Sequence, residues 1–450
     1  MPPYQSAIRA RKIVAETQET LTGELRERWA ALSESDRVRA FHHLPRAEAQ
    51  ALFLELQTRD QYDLLRSLPR GEQRIWLRLL PPDDAADLIQ LAAEQDRPRL
   101  LSELDDVSRR EVSALMAYRE DVAGGLMNPR FARLRPDMTA DQAISYLRWQ
   151  SPHVQTIYYA YVLDDMQHLL GVVSFRDLFS ADRDRLVRDV MRRDFVAATD
   201  DMDQEAVAKL VAAHHLLAVP VIDHQGRMEG IVTVDDVIDV VQEEASEDIQ
   251  KFGGLEALDA PYLDTGFWGM VKKRAGWLAI LFVGEMLTAT AMSFFEREIA
   301  QAVVLALFVP LIISSGGNSG SQATTLVVRA MALGELRLGD LKRVILRELS
   351  TGFVLGCVLA LIGMTRILLW QAIWKTYGPH YAIVALTVGL SLIGVVLFGA
   401  VAGSMLPFLL RWLRLDPASA SAPFVATLVD VTGLVIYFSV ASVVMRGVLL

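Results

Sequence analysis

Phe424-Val-Ala-Thr-Leu-Val-Asp430-Val-Thr-Gly-Leu-Val-Ile-Tyr-Phe-Ser-Val-Ala-Ser-Val-Val-Met445 is an apolar run long enough to cross a bilayer, and its one charge is the carboxylate of Asp430. A carboxylate at mid-membrane costs several kcal/mol by most measures, so it is expected to face a water-filled path or a cation rather than lipid. No basic residue shares its run to offset it. The handling of a cation is therefore the first functional expectation.

Working outward, four more apolar stretches precede this one, near 275–295, 302–328, 351–374 and 383–410. Each is near or above the length that spans a hydrocarbon core. The loops on one side are basic: Lys272, Lys273 and Arg274 before the first stretch, Arg329 to Arg347 after the second, Arg411 and Arg414 after the fourth. The other side carries Arg297 and Lys375. The positive-inside rule then places everything before residue 265 in the cytoplasm and, with five crossings, the C-terminus outside the cell. The first residues, Met1 to Ala15, are polar and basic with no apolar centre, which agrees with a cytoplasmic start.

The second stretch is interrupted by Ser314-Ser-Gly-Gly-Asn318-Ser-Gly-Ser-Gln322-Ala-Thr-Thr325. This predicts irregular backbone lining a cavity, as in the broken helices of transporters. Close packing of small residues between helices is the other reading. Glu285 in the first stretch is a second intramembrane carboxylate, which either lines the path or pairs with a neighbour at an interface. Carboxylate, amide and carbonyl oxygens, with no His or Cys beside them, favour a hard cation such as Mg2+ or Ca2+. Magnesium keeps several of its waters, which suits a site with few carboxylates.

The chain has 450 residues, 52% of them hydrophobic, and its charge is divided unevenly. Residues 1–265 carry a net charge of −16 and residues 266–450 a net of +6. An acidic soluble half argues against a nucleic-acid partner and suits a metal cation. A single cysteine, Cys357, excludes an internal disulfide or a thiolate cluster.

Within the soluble half, apolar residues recur at helical spacing from about 25 to 120, punctuated by Leu44-Pro45, Leu68-Pro69 and Leu80-Pro81. Proline is tolerated in a first helical turn, so each pair predicts a helix start and the whole a stack of short helices. Asp83 and Asp87 share one helical face, on which solvation is the simplest expectation. From about 130 to 250 a strand, turn, strand, helix pattern occurs twice, with Ser174 before Asp177 and Thr233 before Asp235 at the strand-to-helix junctions. This doubling resembles a tandem pair of CBS domains, in which such residues often hold the ribose of an adenine nucleotide. Helix capping explains the same hydroxyls equally well. Residues 243–265 read as an acidic linker helix.

The order of parts, with Glu120-Asp-Val-Ala-Gly-Gly-Leu-Met127, Pro310 to Gln322 and Pro423 to Gly433, resembles the MgtE family of magnesium channels and transporters over nearly the whole chain. The resemblance implies a multidomain membrane protein: an α-helical N-terminal solenoid domain (1–128), α/β tandem CBS domains (129–242), a linker or plug helix (243–268) and a five-helix all-α transmembrane domain (269–450). It implies a homodimer in the inner membrane, with a hydrated Mg2+ at Asp430 and Asn318 in the pore-lining loop. It further implies closure when cytosolic Mg2+ is high, with ions bridging Asp83, Asp87, Asp248, Glu256 and Asp259 and with Asp416 as the membrane-side partner of the plug. It implies an adenine-nucleotide site, ATP included, at Ser174, Asp177, Thr233 and Asp235. His214-His215 departs from the acid expected there in some members, which implies a different affinity of the sensor for its ion.

Two other functions are compatible with parts of this pattern. A proton- or sodium-coupled divalent cation transporter would titrate Glu285. A membrane-anchored CBS nucleotide sensor would leave Asp430 and Asn318 without a role. No nucleophile–base pair or phosphate-cradling loop suggests an enzyme.

Overall fold

The computed structural model describes residues 32–446 apart from 259, 261 and 264, together with residues 25 and 29. It divides into two compact units, Met1–Gln242 and Glu243–Leu450.

Among the described residues, the first unit holds seven short helices before its duplicated segment: α1 (Glu34–His43), α2 (Arg46–Glu55), α3 (Thr58–Ser67), α4 (Arg70–Leu77), α5 (Pro82–Gln90), α6 (Arg97–Glu103) and α7 (Asp106–Leu115). The Leu-Pro pairs do what their chemistry predicts. Leu44 and Leu68 close α1 and α3 in extended conformation, and Pro45, Pro69 and Pro81 are the N-cap residues of α2, α4 and α5. A proline forces the residue before it out of the helical region, so only two residues separate α1 from α2 and α3 from α4. The turns stack Leu52, Phe53, Leu65, Leu77, Leu88 and Ile89 into the core, each almost fully buried.

The duplicated segment follows. α8 (Ala123–Leu126) leads to β1 (Arg133–Leu134), α9 (Ala140–Gln150), β2 (Tyr159–Leu163), β3 (Leu169–Ser174), α10 (Phe175–Ser180) and α11 (Val187–Val190). The second copy holds β4 (Ala198–Thr199), α12 (Gln204–His214), β5 (Ala218–Ile222), β6 (Met228–Thr233) and α13 (Val234–Phe252). Each copy makes a three-stranded sheet with its first strand parallel and its hairpin antiparallel. The hairpins correspond pair for pair, Ala160↔Val173 matching Val219↔Val232, with a register shift at the same place in both. Val219, Val221, Val232 and Val237 of the second copy belong to the same buried cluster as the helical stack, so the two regions share one core.

α13 is the last helix of the second copy and continues to Phe252. The expected linker helix is thus helical only to that point. Gly253 and Gly254 end it, Gly254 with φ +73. A Cβ on Gly254 would stand 2.5 Å from the Trp277 indole nitrogen, so only glycine allows this approach.

In the second unit, five of the described helices are long and apolar enough to cross a membrane: Phe267–Phe294, Val303–Ala332, Leu338–Trp374, Tyr381–Trp412 and Ala422–Val444. The fourth span packs against the second, third and fifth, and the first span packs mainly on the fifth. The glycine-rich stretch of the second span corrects the expectation of a broken helix, because Val309–Ala332 is continuous. Its glycines serve contact. A Cβ on Gly399 of the fourth span would lie 2.3 Å from the Gly316 carbonyl oxygen, and one on Gly403 would lie 2.2 Å from that of Gly320. Thr324 reinforces the contact by donating to the Gly403 carbonyl at 2.8 Å. Small residues let the backbones meet, which is how helices associate where no hydrophobic force separates lipid from leucine.

Candidate cation site and its acidic surroundings

Asp430 stands near the middle of the fifth span and is half-buried. Glu285 of the first span lies beside its carboxyl group. That contact is held by the register of the two helices. Trp277 donates to the Ser421 hydroxyl at 3.2 Å, and a Cβ on Gly284 would lie 2.8 Å from the Thr427 methyl, so the spans run in parallel in close approach. The sequence left the role of Glu285 open between path and interface; the packing brings it to Asp430. Among the described residues, neither acid forms an ion pair with Lys, Arg or His.

The second and fifth spans are antiparallel. Gly316 faces Val429, Gly320 faces Val425, and Ser321 donates to the Ala422 carbonyl. Asn318 therefore lies at the level of Ala426, one helical turn or about 6 Å from Asp430 along the fifth span. Asn318 and Gln322 are exposed while Gly316, Gly317 and Gly320 are buried. The interrupted stretch thus divides its work, with glycines on the packed face and amides on the open one.

A second group of acids lies in the first unit. Asp83 on α5 is buried, 5% exposed, and accepts a hydrogen bond of 3.0 Å from the Asn128 amide. This corrects the expectation of a solvated residue; Asp87, one turn on, is the exposed one. Burial first, and then the neighbouring charges of Asp84 and Asp236, push the Asp83 carboxyl well above the usual carboxylate range. Burial and the charges of Asp235 and Asp239 raise Asp84 to about 6. Burial likewise raises Asp236 to about 6, against the hydrogen bonds it accepts from Thr233. Acids from α5 and α13 are thus crowded together, and no sequence spacing could have paired residues this far apart.

Ser174 and Asp177 line a cleft of about 830 Å³ between the two copies, with Tyr159, Arg192 and His214 among its other walls. Ser174 caps α10 by accepting from the Asp177 backbone N–H at 3.0 Å, and Arg192 stands 3.5 Å from the Asp177 carboxylate. The second motif differs. The Thr233 hydroxyl donates to Asp236 at 2.6 Å and also contacts Asp235, and neither Thr233 nor Asp235 lines the cleft. Two motifs that look equivalent in sequence therefore have different surroundings.

In the second unit, Lys251 near the end of α13 reaches Asp416 at 2.8 Å and Glu247 at 2.5 Å. Burial opposes its charge, but the hydrogen bonds to Asp416 and Glu247 prevail and hold its ammonium above the ordinary lysine range. Asp416 also caps the turn Pro417–Ser419. Lys251 was not singled out in the sequence, although a lone lysine between Glu243 and Glu256 was signal enough. Asp248 is half-buried, Glu256 is exposed, and Asp259 lies outside the described residues. A Lys251→Met variant is expected to unpair Asp416 and loosen the end of α13, read as faster amide exchange at residues 245–252 with the spans unchanged.

Comparison with known proteins bears on all three regions. Residues 309–440 match the family described as Divalent cation transporter, residues 22–121 the MgtE intracellular N domain, and residues 121–184 and 187–243 the CBS domain. The chain is 40% identical to the Magnesium transporter MgtE of Thermus thermophilus over 423 residues, 93% of this chain and 92% of that protein. It is 30% identical to the Magnesium transporter MgtE of Bacillus subtilis over 411 residues, 91% and 89% of the two chains. A solved structure of the cytosolic domain of the Mg2+ channel MgtE in complex with ATP is similar over 52% of this chain and 98% of its own, with 38% identity and a TM-score of 0.47.

Proposed function

The chain belongs to the MgtE family of magnesium transporters, and on that premise we propose that it forms a gated pore carrying hydrated Mg2+ into the cytoplasm, with Asp430 as the ion's principal protein ligand. It is a multi-pass membrane protein with an intracellular N domain. The observation that carries the proposal is a carboxylate in mid-span with no basic partner among the described residues. The exposed amides of Asn318 and Gln322 add oxygen donors about a turn away. Donors of this kind, offered through a partly hydrated shell, suit Mg2+.

Asp430 is only half-buried within one chain, so a second copy completes the pore wall and the working form is a homodimer. The basic loops support a C-terminus outside the cell. Cytosolic Mg2+ closes the pore by neutralising acids in both units: Asp83 and Asp87 in the first, and Asp248, Glu256, Asp259 and Asp416 in the second. The crowding of Asp83, Asp84 and Asp236 supports this sensor, since a bare cluster repels itself and a divalent ion reverses the sign. An adenine nucleotide, ATP included, is the expected occupant of the Ser174 and Asp177 cleft, where Tyr159 offers a ring and Arg192 a charge.

Patch recording of the reconstituted protein tests the pore and gate together. Currents reversing at the Mg2+ equilibrium potential, and shut by millimolar Mg2+ on the N-domain side, are expected. Reversal that follows protons or sodium would reject the channel reading. Joint neutralisation of Asp83, Asp87, Asp248 and Asp259 is expected to leave the pore open at that concentration.

The acid cluster also predicts a pH effect on stability. Asp84 and Asp236 titrate near 6 in the fold and near 3.8 unfolded, so the folded state binds more protons between those values. Stability is then full below about pH 4 and falls as pH rises towards 6. In chelator, the melting temperature of the full chain is expected to be higher at pH 5 than at pH 7.5. Millimolar Mg2+ should restore it at pH 7.5 and change little at pH 5.

A further inference from the structure

Glu285 and Asp430 lie side by side, yet the fold provides neither with a basic partner among the described residues. Two carboxylates side by side repel each other, and the close approach of Gly284 to Thr427 sets their helices against one another at this level. An independent observation lies one turn further along the first span. Thr288 is only 8% exposed, and its hydroxyl has no hydrogen-bond partner. Other threonines in these spans satisfy themselves by donating to the carbonyl four residues back, as Thr290, Thr325, Thr427 and Thr432 do. Thr288 does not, and its position three residues after Glu285 puts it on the same side of the helix. It is the buried residue of a helix that packs mainly on the fifth span.

We infer that Glu285 is a second cation-binding carboxylate of the pore and that, with Asp430, it sets the preference for a divalent over a monovalent ion. The Thr288 hydroxyl adds a neutral oxygen to the same set. Each subunit then brings two carboxylates to the ion path. Charge count at an oxygen site is what raises affinity for a doubly charged ion relative to a singly charged one. This inference rests on Asp430 being the pore ligand.

The test measures Mg2+ flux against concentration, and Mg2+/Na+ reversal potentials, for the reconstituted full chain with Glu285→Gln, Glu285→Asp and Asp430→Asn. Glu285→Gln keeps the shape and removes the charge. It is expected to raise the half-saturating Mg2+ about tenfold and to lower Mg2+ over Na+ discrimination by a similar factor. Glu285→Asp is expected to shift half-saturation about threefold. Wild-type saturation and selectivity in Glu285→Gln would overturn the inference. If that variant does not assemble, an unchanged Glu285→Asp overturns it instead. A silent Asp430→Asn beside a normal Glu285→Gln removes only the role of Glu285, whereas a normal Asp430→Asn removes the pore reading beneath it.

Discussion

Asp430→Asn is expected to lower Mg2+ flux at least about a hundredfold while leaving assembly intact. A divalent ion about 6 Å from a carboxylate, one water between them, gains about 5 kcal/mol at an effective dielectric near 20. Asparagine keeps an oxygen and nearly the same volume but forfeits that attraction, and a cation entering a low-dielectric path has little else to offset its lost hydration. Because the side chain is only half-buried, the substitution leaves helix packing alone. Growth rescue in a strain lacking other magnesium importers, set beside elution volume and melting temperature in detergent, separates loss of transport from loss of fold. Normal rescue would remove the pore assignment.

Gly403→Ala is expected to have the largest effect on stability. The added methyl would stand 2.2 Å from the Gly320 carbonyl oxygen and 2.8 Å from the Thr324 hydroxyl, so the fourth span must move away from the second. Overpacking of this kind costs about 1–3 kcal/mol, and the Thr324 hydrogen bond to Gly403 is lost with it, at about 0.6 kcal/mol more. The melting temperature in detergent should fall by several degrees or the protein should not accumulate. Gly339→Ala, where nothing stands within 4 Å, is the matched control and should change little. Equal stability of the two variants would show that the glycine contact does not hold the bundle together.

Much of this was legible in the chain. The Leu-Pro pairs marked three helix starts because proline constrains its own φ and its neighbour's conformation, a local effect. The duplicated strand pattern and the five spans were equally local signals of period and length. The reading of Ser314 to Thr325 as irregular backbone failed because glycine content has two physical causes, freedom of conformation and room for a neighbour, and only packing distinguishes them. Asp83 was taken for a surface acid because helical spacing tells which residues share a face but not what covers it. Likewise Lys251 meets Asp416 across a long separation that no spacing rule reaches.

The sequence by itself determined the order of the elements, the division into an intracellular N-terminal part and a membrane part, and the presence of carboxylates in two membrane runs, Asp430 and Glu285. These follow from interactions within a few residues or from transfer between water and lipid. Only the tertiary structure decided which acids face one another: Asp83 with Asp84 and Asp236, and Glu285 with Asp430. It also decided that the glycines of the second span bring backbones together while Asn318 stays open. The physical reason is that helix register and the burial of apolar faces are settled collectively, and the position of a charge relative to another charge is a consequence of that settlement.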